Sequence, residues 1–151
     1  MLELATVSDW QEIKRLSVQV HDLHAAWRPD IYFSTEEPYP YDIFLEDIQK
    51  RLVYAAKLEG NIVGYVVLSI SKKDGAGTVA HKIMRLESIC VDEPFRGHGI
   101  GKKMVTDVWA LAKAFRCSQL ILGVHAENDS AIGFYQKCGF RIRTINMDMN
   151  V

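Results

Sequence analysis

The stretch Arg96-Gly97-His98-Gly99-Ile100-Gly101-Lys102 carries residue types that bind an anion through the main chain. Its alternating glycines remove the side chains that would hold a phosphate away. A helix starting there would present backbone N–H groups without intrahelical partners at the positive end of the macrodipole. Arg96 and Lys102 add positive charge, although both would serve equally as solvated charges at a helix start. Spacing separates the phosphate-binding turns that such a stretch could form. A dinucleotide fingerprint needs Gly-x-Gly-x-x-Gly straight after its strand and an acid about twenty residues on. Here the glycines follow an intervening loop, and no acid ends the next strand at that distance. A mononucleotide loop needs four residues between its first glycine and Gly-Lys-Ser/Thr, whereas Gly101-Lys102 is followed by Lys103. What remains is Arg96-x-x-Gly99-x-Gly101, a turn suited to a diphosphate.

The elements that must position this turn are legible from periodicity. Leu86 to Val91 delivers a strand into it, and a helix from Gly99 to Phe115 leaves it with Ile100, Met104, Val108, Leu111 and Phe115 along one apolar face. Upstream, Leu52 to Leu58 and Ile62 to Ser71 read as strands joined at Glu59-Gly60-Asn61. A turn at Asp74-Gly75 then leads into a long strand from Thr78 to Val91. Leu2 to Thr6 reads as a first strand, and Ser8 with Gln11 as a capping box. The helix that follows sets Ile13, Leu16, Val20, Leu23 and Trp27 on one stripe and ends before Pro29. A second, shorter helix is expected to run through Lys50. Gln119 to His125 is a further strand, and the strand-helix-strand order makes it a parallel neighbour of the previous one. Asn128 to Cys138 reads as a short helix closed by Gly139, and Arg141 to Asn150 as a last strand.

At 151 residues the chain fits one compact domain, 1–151, large enough for a proper core. Eighteen Lys and Arg against nineteen Asp and Glu leave a formal charge of -1, so no chain-wide basic excess is available for nucleic acid or an anionic membrane. Any anion site must be local. Cys90, Cys117 and Cys138 form an odd set without paired spacing, which argues against a disulfide framework or a zinc site and fits reduced thiols in the cytoplasm. The first residues carry Glu3 and Asp9 and read as neither a secretory leader nor a membrane span.

Downstream lies Asn128-Asp129-Ser130-Ala131-Ile132-Gly133-Phe134-Tyr135-Gln136-Lys137-Cys138-Gly139-Phe140. Together with the glycine turn it resembles the GNAT superfamily of N-acetyltransferases, whose motifs are R/Q-x-x-G-x-G/A and N-x-x-A-x-x-F-Y-x-x-x-G-F. The resemblance implies a single α/β (α+β) domain with a central mixed, mostly antiparallel twisted sheet. It would have about six to seven strands, splayed at the centre, flanked by about four helices. It implies acetyl-CoA as donor, with its pyrophosphate on the amides from Phe95 or Arg96 through Gly97, His98, Gly99, Ile100, Gly101 and Lys102. The pantetheine would lie between the splayed strands along Ile89, Cys90 and Val91. Asn128 would bond the pantetheine arm, and Tyr135 would aim its hydroxyl at the thioester sulfur. Read without the resemblance, Asn128 is a helix N-cap and Tyr135 a buried aromatic. The chain is short after Phe140, so the family's usual pair of final strands would be merged or truncated. A homodimer is common among the proteins it resembles.

The expected function is transfer of an acetyl group to a primary amine by direct attack. That chemistry needs a neutral amine, a polarised carbonyl and a protonated leaving thiol. Tyr135 suits the last role as general acid. Glu87 is the candidate base, because strand parity puts it on the side of Ile89 and Val91; otherwise it is a partner for Arg85 or Lys82. His24 and His125 are alternative bases. Cys90 and Cys138 lack the Cys-His-Asp arrangement of a nucleophile, and no cluster has metal-ligand spacing. The irregular segment from Arg28 to Asp42 is expected to choose the acceptor, a small-molecule or peptide amine. Tyr32, Phe33, Tyr39 and Tyr41 beside Glu36, Glu37 and Asp42 would form a cation-attracting mouth, or else an ordinary proline-punctuated loop. The rival readings are a catalytically inactive acyl-CoA-binding module and a nucleotide-binding protein using the same turn.

Overall fold

The computed structural model describes all 151 residues. Strand β1 (Leu2–Leu4) leads into a 3-10 turn, Val7–Asp9, and then helix α1 (Trp10–Trp27). The Thr6 N–H donates to the Asp9 carboxylate at 2.8 Å and the Asp9 N–H donates to the Thr6 carbonyl at 3.0 Å. The capping box therefore lies at Thr6 and Asp9, two residues ahead of the pair expected from Ser8 and Gln11. Ile13 and Leu16 are fully buried and Val20 packs behind them, but Leu23 is 45% exposed and Trp27 only half-buried. The apolar stripe thus outlasts the core that it covers.

Helix α2 (Tyr41–Gln49) precedes strands β2 (Val53–Leu58) and β3 (Asn61–Gly75). A two-residue turn joins the strands, with Glu59 at φ 49° and Gly60 at φ 81°. Positive φ at both positions is the hairpin geometry whose twist matches that of the strands. Strand β4 (Thr78–Val91) follows Ala76-Gly77, so this turn falls two residues later than Asp74-Gly75. Helix α3 (Ile100–Ala114), strand β5 (Gln119–Leu122) and helix α4 (Asp129–Lys137) complete the elements. The sheet order is β1-β2-β3-β4-β5, antiparallel throughout except for the parallel β4–β5 pair.

The sheet has five strands, not six to seven. Arg141 to Asn150 has strand-like alternation yet forms no strand, because no backbone N–H or C=O after Phe140 pairs with another. A strand needs a neighbouring edge, and the tail is held instead beside α1, where the Arg28 guanidinium donates to Asp148 at 2.7 Å. Strand β5 ends at Leu122 rather than His125.

Helices α1 and α2 cover one face of the sheet, where Trp10, Ile13, Leu16 and Phe44 pack on Val53, Tyr65, Val67 and Cys90. Helix α3 covers the other, setting Ile100, Met104 and Val108 against Val66, Leu68, Met84 and Leu86. Tyr135 of α4 packs on this second cluster, so α4 shares the α3 face. Each fully buried large apolar side chain contributes roughly 1.5–3 kcal/mol, so these two layers hold the sheet rigid beneath the turn. No helix is long and apolar enough to cross a membrane.

Candidate active site

The last two strands of the sheet, β4 and β5, part company along their length. Pairing between β4 and β5 runs from Ile83↔Gln119 to Leu86↔Leu122 and stops, while β4 continues to Val91 bonded only to β3. The register of β3 against β4 slips at the same level: Val67 faces Ser88 but Leu68 faces Leu86, which leaves Glu87 as an extra residue, a β-bulge. Beyond Leu86 the β5 side of β4 therefore has no partner strand. Ile89, Cys90 and Val91 lie along this opening.

The bulge corrects the parity expected for Glu87. Met84 and Leu86 belong to the α3-side cluster and Ile89 and Val91 pack against it. The alternation thus resets across the bulge, and Glu87 points to the other face. There its carboxylate accepts from the Ser69 hydroxyl and pairs with Arg85 Nε at 3.3 Å. Arg85 also reaches over β5, since a Cβ on Gly123 would lie 3.1 Å from its guanidinium. Glu87 is exposed and held by two neighbours, on the α1 side of the fork.

At the mouth of the fork stands the glycine turn. After the 3-10 turn Glu93–Phe95, Gly97 and Gly99 adopt φ of 81° and 78°, left-handed values that favour glycine. Gly99 is the N-cap of α3, and the first intrahelical bond runs from the Lys103 N–H to the Gly99 carbonyl. The amides of Gly97, His98, Gly99, Ile100, Gly101 and Lys102 have no acceptor in the protein. Six consecutive free donors at the positive end of a fifteen-residue helix suit an anion. A Cβ at Gly101 would meet Phe134 at 3.3 Å and Val91 at 3.6 Å, so this glycine lets α4 and β4 close around the helix start.

The Arg96 guanidinium folds back, donating to the Val91 carbonyl at 2.9 Å and to Gln19 Oε1 at 2.9 Å. Gln19 in turn donates to Asp92 at 2.7 Å, and Arg15 grips the Asp92 carboxylate at 2.7 and 3.1 Å. Asp92 is buried, and the Arg15 hydrogen bond outweighs burial and pulls its pKa down to about 2. This clamp ties α1 to the strand end that launches the turn. Arg15 and Gln19 share a face of α1 one turn apart, but their partner lies 77 and 73 residues on, beyond any local pattern.

On α4, the Asn128 side chain accepts from the Ala131 N–H at 3.0 Å and so caps the helix. Tyr135 is half-buried between Phe134 and Phe140, at centroid distances of 5.3 and 5.7 Å. Burial, and secondarily Cys138, raise its pKa to about 12. Cys90 is buried, and desolvation pushes its thiol up to about 11.

The Arg28-to-Asp42 segment divides into two parts. Tyr39 and Tyr41 pack around Trp10, with the Tyr39 hydroxyl donating to Asp47 at 2.8 Å, and are structural. Glu37 accepts from the Tyr41 N–H at 3.0 Å and pairs with Lys14 at 3.6 Å. Glu36, by contrast, lines an open groove of about 340 Å³ with Val18, Asp22, Ser34 and Thr35. Phe33 is 79% exposed. Tyr32 stands edge-on to His125 at 5.8 Å, and His24 lies 4.9 Å from His125. Burial first, then His125 and His21, lower the pKa of His24. No group of His, Cys, Asp and Glu has the arrangement of a metal site.

Comparison with known proteins places this geometry. The acetyltransferase (GNAT) family model matches residues 18–140, and the chain belongs to this family. It is similar to an N-alpha-acetyltransferase of Sulfolobus acidocaldarius, 30% identical over 93% of this chain and 79% of that one. It is also similar to spermine/spermidine N(1)-acetyltransferase of Bacillus subtilis, 26% identical over 80% of this chain and 78% of the relative. A crystal structure of a mutant BH1408 protein from Bacillus halodurans superposes with a TM-score of 0.95 at 29% identity, covering 100% of this chain and 99% of its own. The chain is accordingly an acyl-CoA-dependent N-acetyltransferase by family.

Proposed function

We propose that the protein moves an acetyl group from acetyl-CoA to a primary amine by direct attack, with no acyl-enzyme. The observation that carries this reading is the run of free amides from Gly97 to Lys102 at the mouth of the β4–β5 fork. The residues fit the donor: the amides and the helix dipole suit its diphosphate, and the open edge at Ile89, Cys90 and Val91 suits an amide-bearing arm. Acetyl-CoA supplies the acyl thioester. Asn128 keeps its side-chain N–H donors available beside that arm, since only its oxygen is taken up by the cap.

Tyr135 holds a proton at neutral pH, because its pKa lies near 12, and delivers it from the phenol oxygen to the departing sulfur. Glu87 takes the proton of the attacking amine, directly or through one water, from the α1 side of the fork, with Ser69 and Arg85 fixing its carboxylate. A second reading gives the base role to His24, favoured by the burial and neighbouring histidines that keep its imidazole neutral. Cys90, buried and protonated, is no nucleophile. The acceptor enters past Tyr32 and Phe33, and Glu36 with Asp22 gives the adjacent groove a negative lining that draws an ammonium group. Among the relatives, the spermine/spermidine enzyme acts on a polycation, in keeping with that charge.

The test is kinetic. Tyr135→Phe should lower kcat at least tenfold while leaving CoA affinity within about twofold. Glu87→Gln and His24→Asn, measured beside it, separate the two bases. An equal loss of kcat and CoA affinity in Tyr135→Phe, or no loss, would overturn the proton-donor role.

A further inference from the structure

Near the fork, one arginine has donors to spare. Arg15 grips Asp92, and Arg96 donates to the Val91 carbonyl and to Gln19. Arg85 meets only Glu87, through Nε at 3.3 Å, which leaves Nη1 and Nη2 without an acceptor in the protein. Its parity is opposite to that of Met84 and Leu86, which pack toward α3, so it stands on the α1 face beside Glu87. The chain also makes room for it. A Cβ at Gly123 would lie 3.1 Å from Nη2, and the Gly123 backbone is not left-handed, so this glycine supplies space for the guanidinium over the end of β5. The side chains of Arg85 and Glu87 are 45% and 42% exposed, and an ion pair so open to solvent contributes little to the fold. Stability therefore does not explain why a cation is held there.

The free edge of a guanidinium presents two parallel N–H donors in one plane, the geometry that a carboxylate accepts in bidentate fashion. Glu87 beside it is the base proposed above for the acceptor amine. We propose that the acceptor is a short amino acid, its amine on Glu87 and its carboxylate on Nη1 and Nη2 of Arg85. The inference rests on the proposed function and narrows it to one class of amine. A zwitterion laid against this pair sets each of its charges on the opposite one, over a separation that a carbon or two spans. The nitrogen bonds to the acetyl carbon as the C–S bond breaks, Glu87 takes a proton from the nitrogen, and Tyr135 gives one to the sulfur. An acceptor that arrives as ammonium releases one further proton to water. Arg85 makes and breaks no covalent bond; it fixes the carboxylate so that the amine faces the fork.

Thiol release from acetyl-CoA, measured with each of the common L-amino acids and with the α-amide of each, tests this. In the wild type, kcat/KM for the preferred amino acid should exceed that for its amide roughly ten- to a hundredfold, as a charge-assisted pair provides. Arg85→Gln should bring that ratio to within about threefold of unity by raising KM for the acid, and Arg85→Lys should restore part of it. Because acid and amide meet the same Glu87, the ratio cancels any change that the substitution makes in folding or in the base. An acid-to-amide ratio near one in the wild type overturns the inference and leaves the acetyltransferase reading standing. So does a ratio that survives in Arg85→Gln, or a preference for putrescine or phosphoethanolamine over every amino acid. No thiol release with any of these amines overturns both.

Discussion

Replacing Asp92 by Asn removes the charge from the clamp that joins α1 to the glycine turn without changing its shape. Arg15 and Gln19 hold this carboxylate through contacts of 2.7, 3.1 and 2.7 Å, and lower its pKa from 3.8 to about 2. A displacement of that size corresponds to about 2.5 kcal/mol of stability at neutral pH. The Arg15 side chain is 45% exposed, so solvent screening reduces the expected loss to about 1–2 kcal/mol. For a domain of this length each kcal/mol moves Tm by about 2–4 °C, so Asp92→Asn should melt roughly 2–8 °C lower at pH 7. The sign follows from the depressed pKa: the contribution is whole above 3.8 and is lost as pH falls toward 2. About half of the wild-type advantage should be gone by pH 3. Thermal unfolding followed by circular dichroism at pH 7, 4 and 3 measures it. Equal Tm values at pH 7, or a gap that does not narrow by pH 3, would refute the reasoning.

Tyr135 should keep its proton throughout the accessible range, because burial holds its pKa near 12. The profile of kcat against pH should therefore show no falling limb between pH 7 and 10; a descent near pH 9 that disappears in Tyr135→Phe would contradict this. Cys90, buried and raised to about 11, should resist iodoacetamide in the folded enzyme at pH 7.5, where half-buried Cys117 and Cys138 react faster. Cys90→Ala should retain kcat within a few-fold, and mass spectrometry after incubation with donor alone should find no acetylated thiol.

Local patterns carried the reading far along the chain, and failed where distant partners decide. The strand, turn and helix from Leu86 to Phe115 were legible because periodicity and glycine spacing are properties of short windows. The parallel β4–β5 pair followed from the handedness of crossovers. Glu87 was misplaced because one extra residue inverts side-chain parity, and nothing local announces the bulge at Val67–Leu68. Leu23 keeps the helical stripe yet is 45% exposed, since periodicity marks a face and not what covers it. Arg141 to Asn150 has the period of a strand without the neighbour that would make it one, and a sequence pattern cannot state which edge is free. The Arg15–Asp92–Gln19 clamp joins residues far apart in sequence and leaves no spacing to find.

The central claim is that the six amides from Gly97 to Lys102 receive the diphosphate of coenzyme A. Titration of ¹⁵N-labelled protein with CoA, followed through its amide resonances, tests this most directly. The expected result is saturable binding in which the largest shifts fall on these amides, with smaller ones along Ile89 to Val91. Saturating CoA that leaves the resonances of Gly97 to Lys102 unmoved would contradict it.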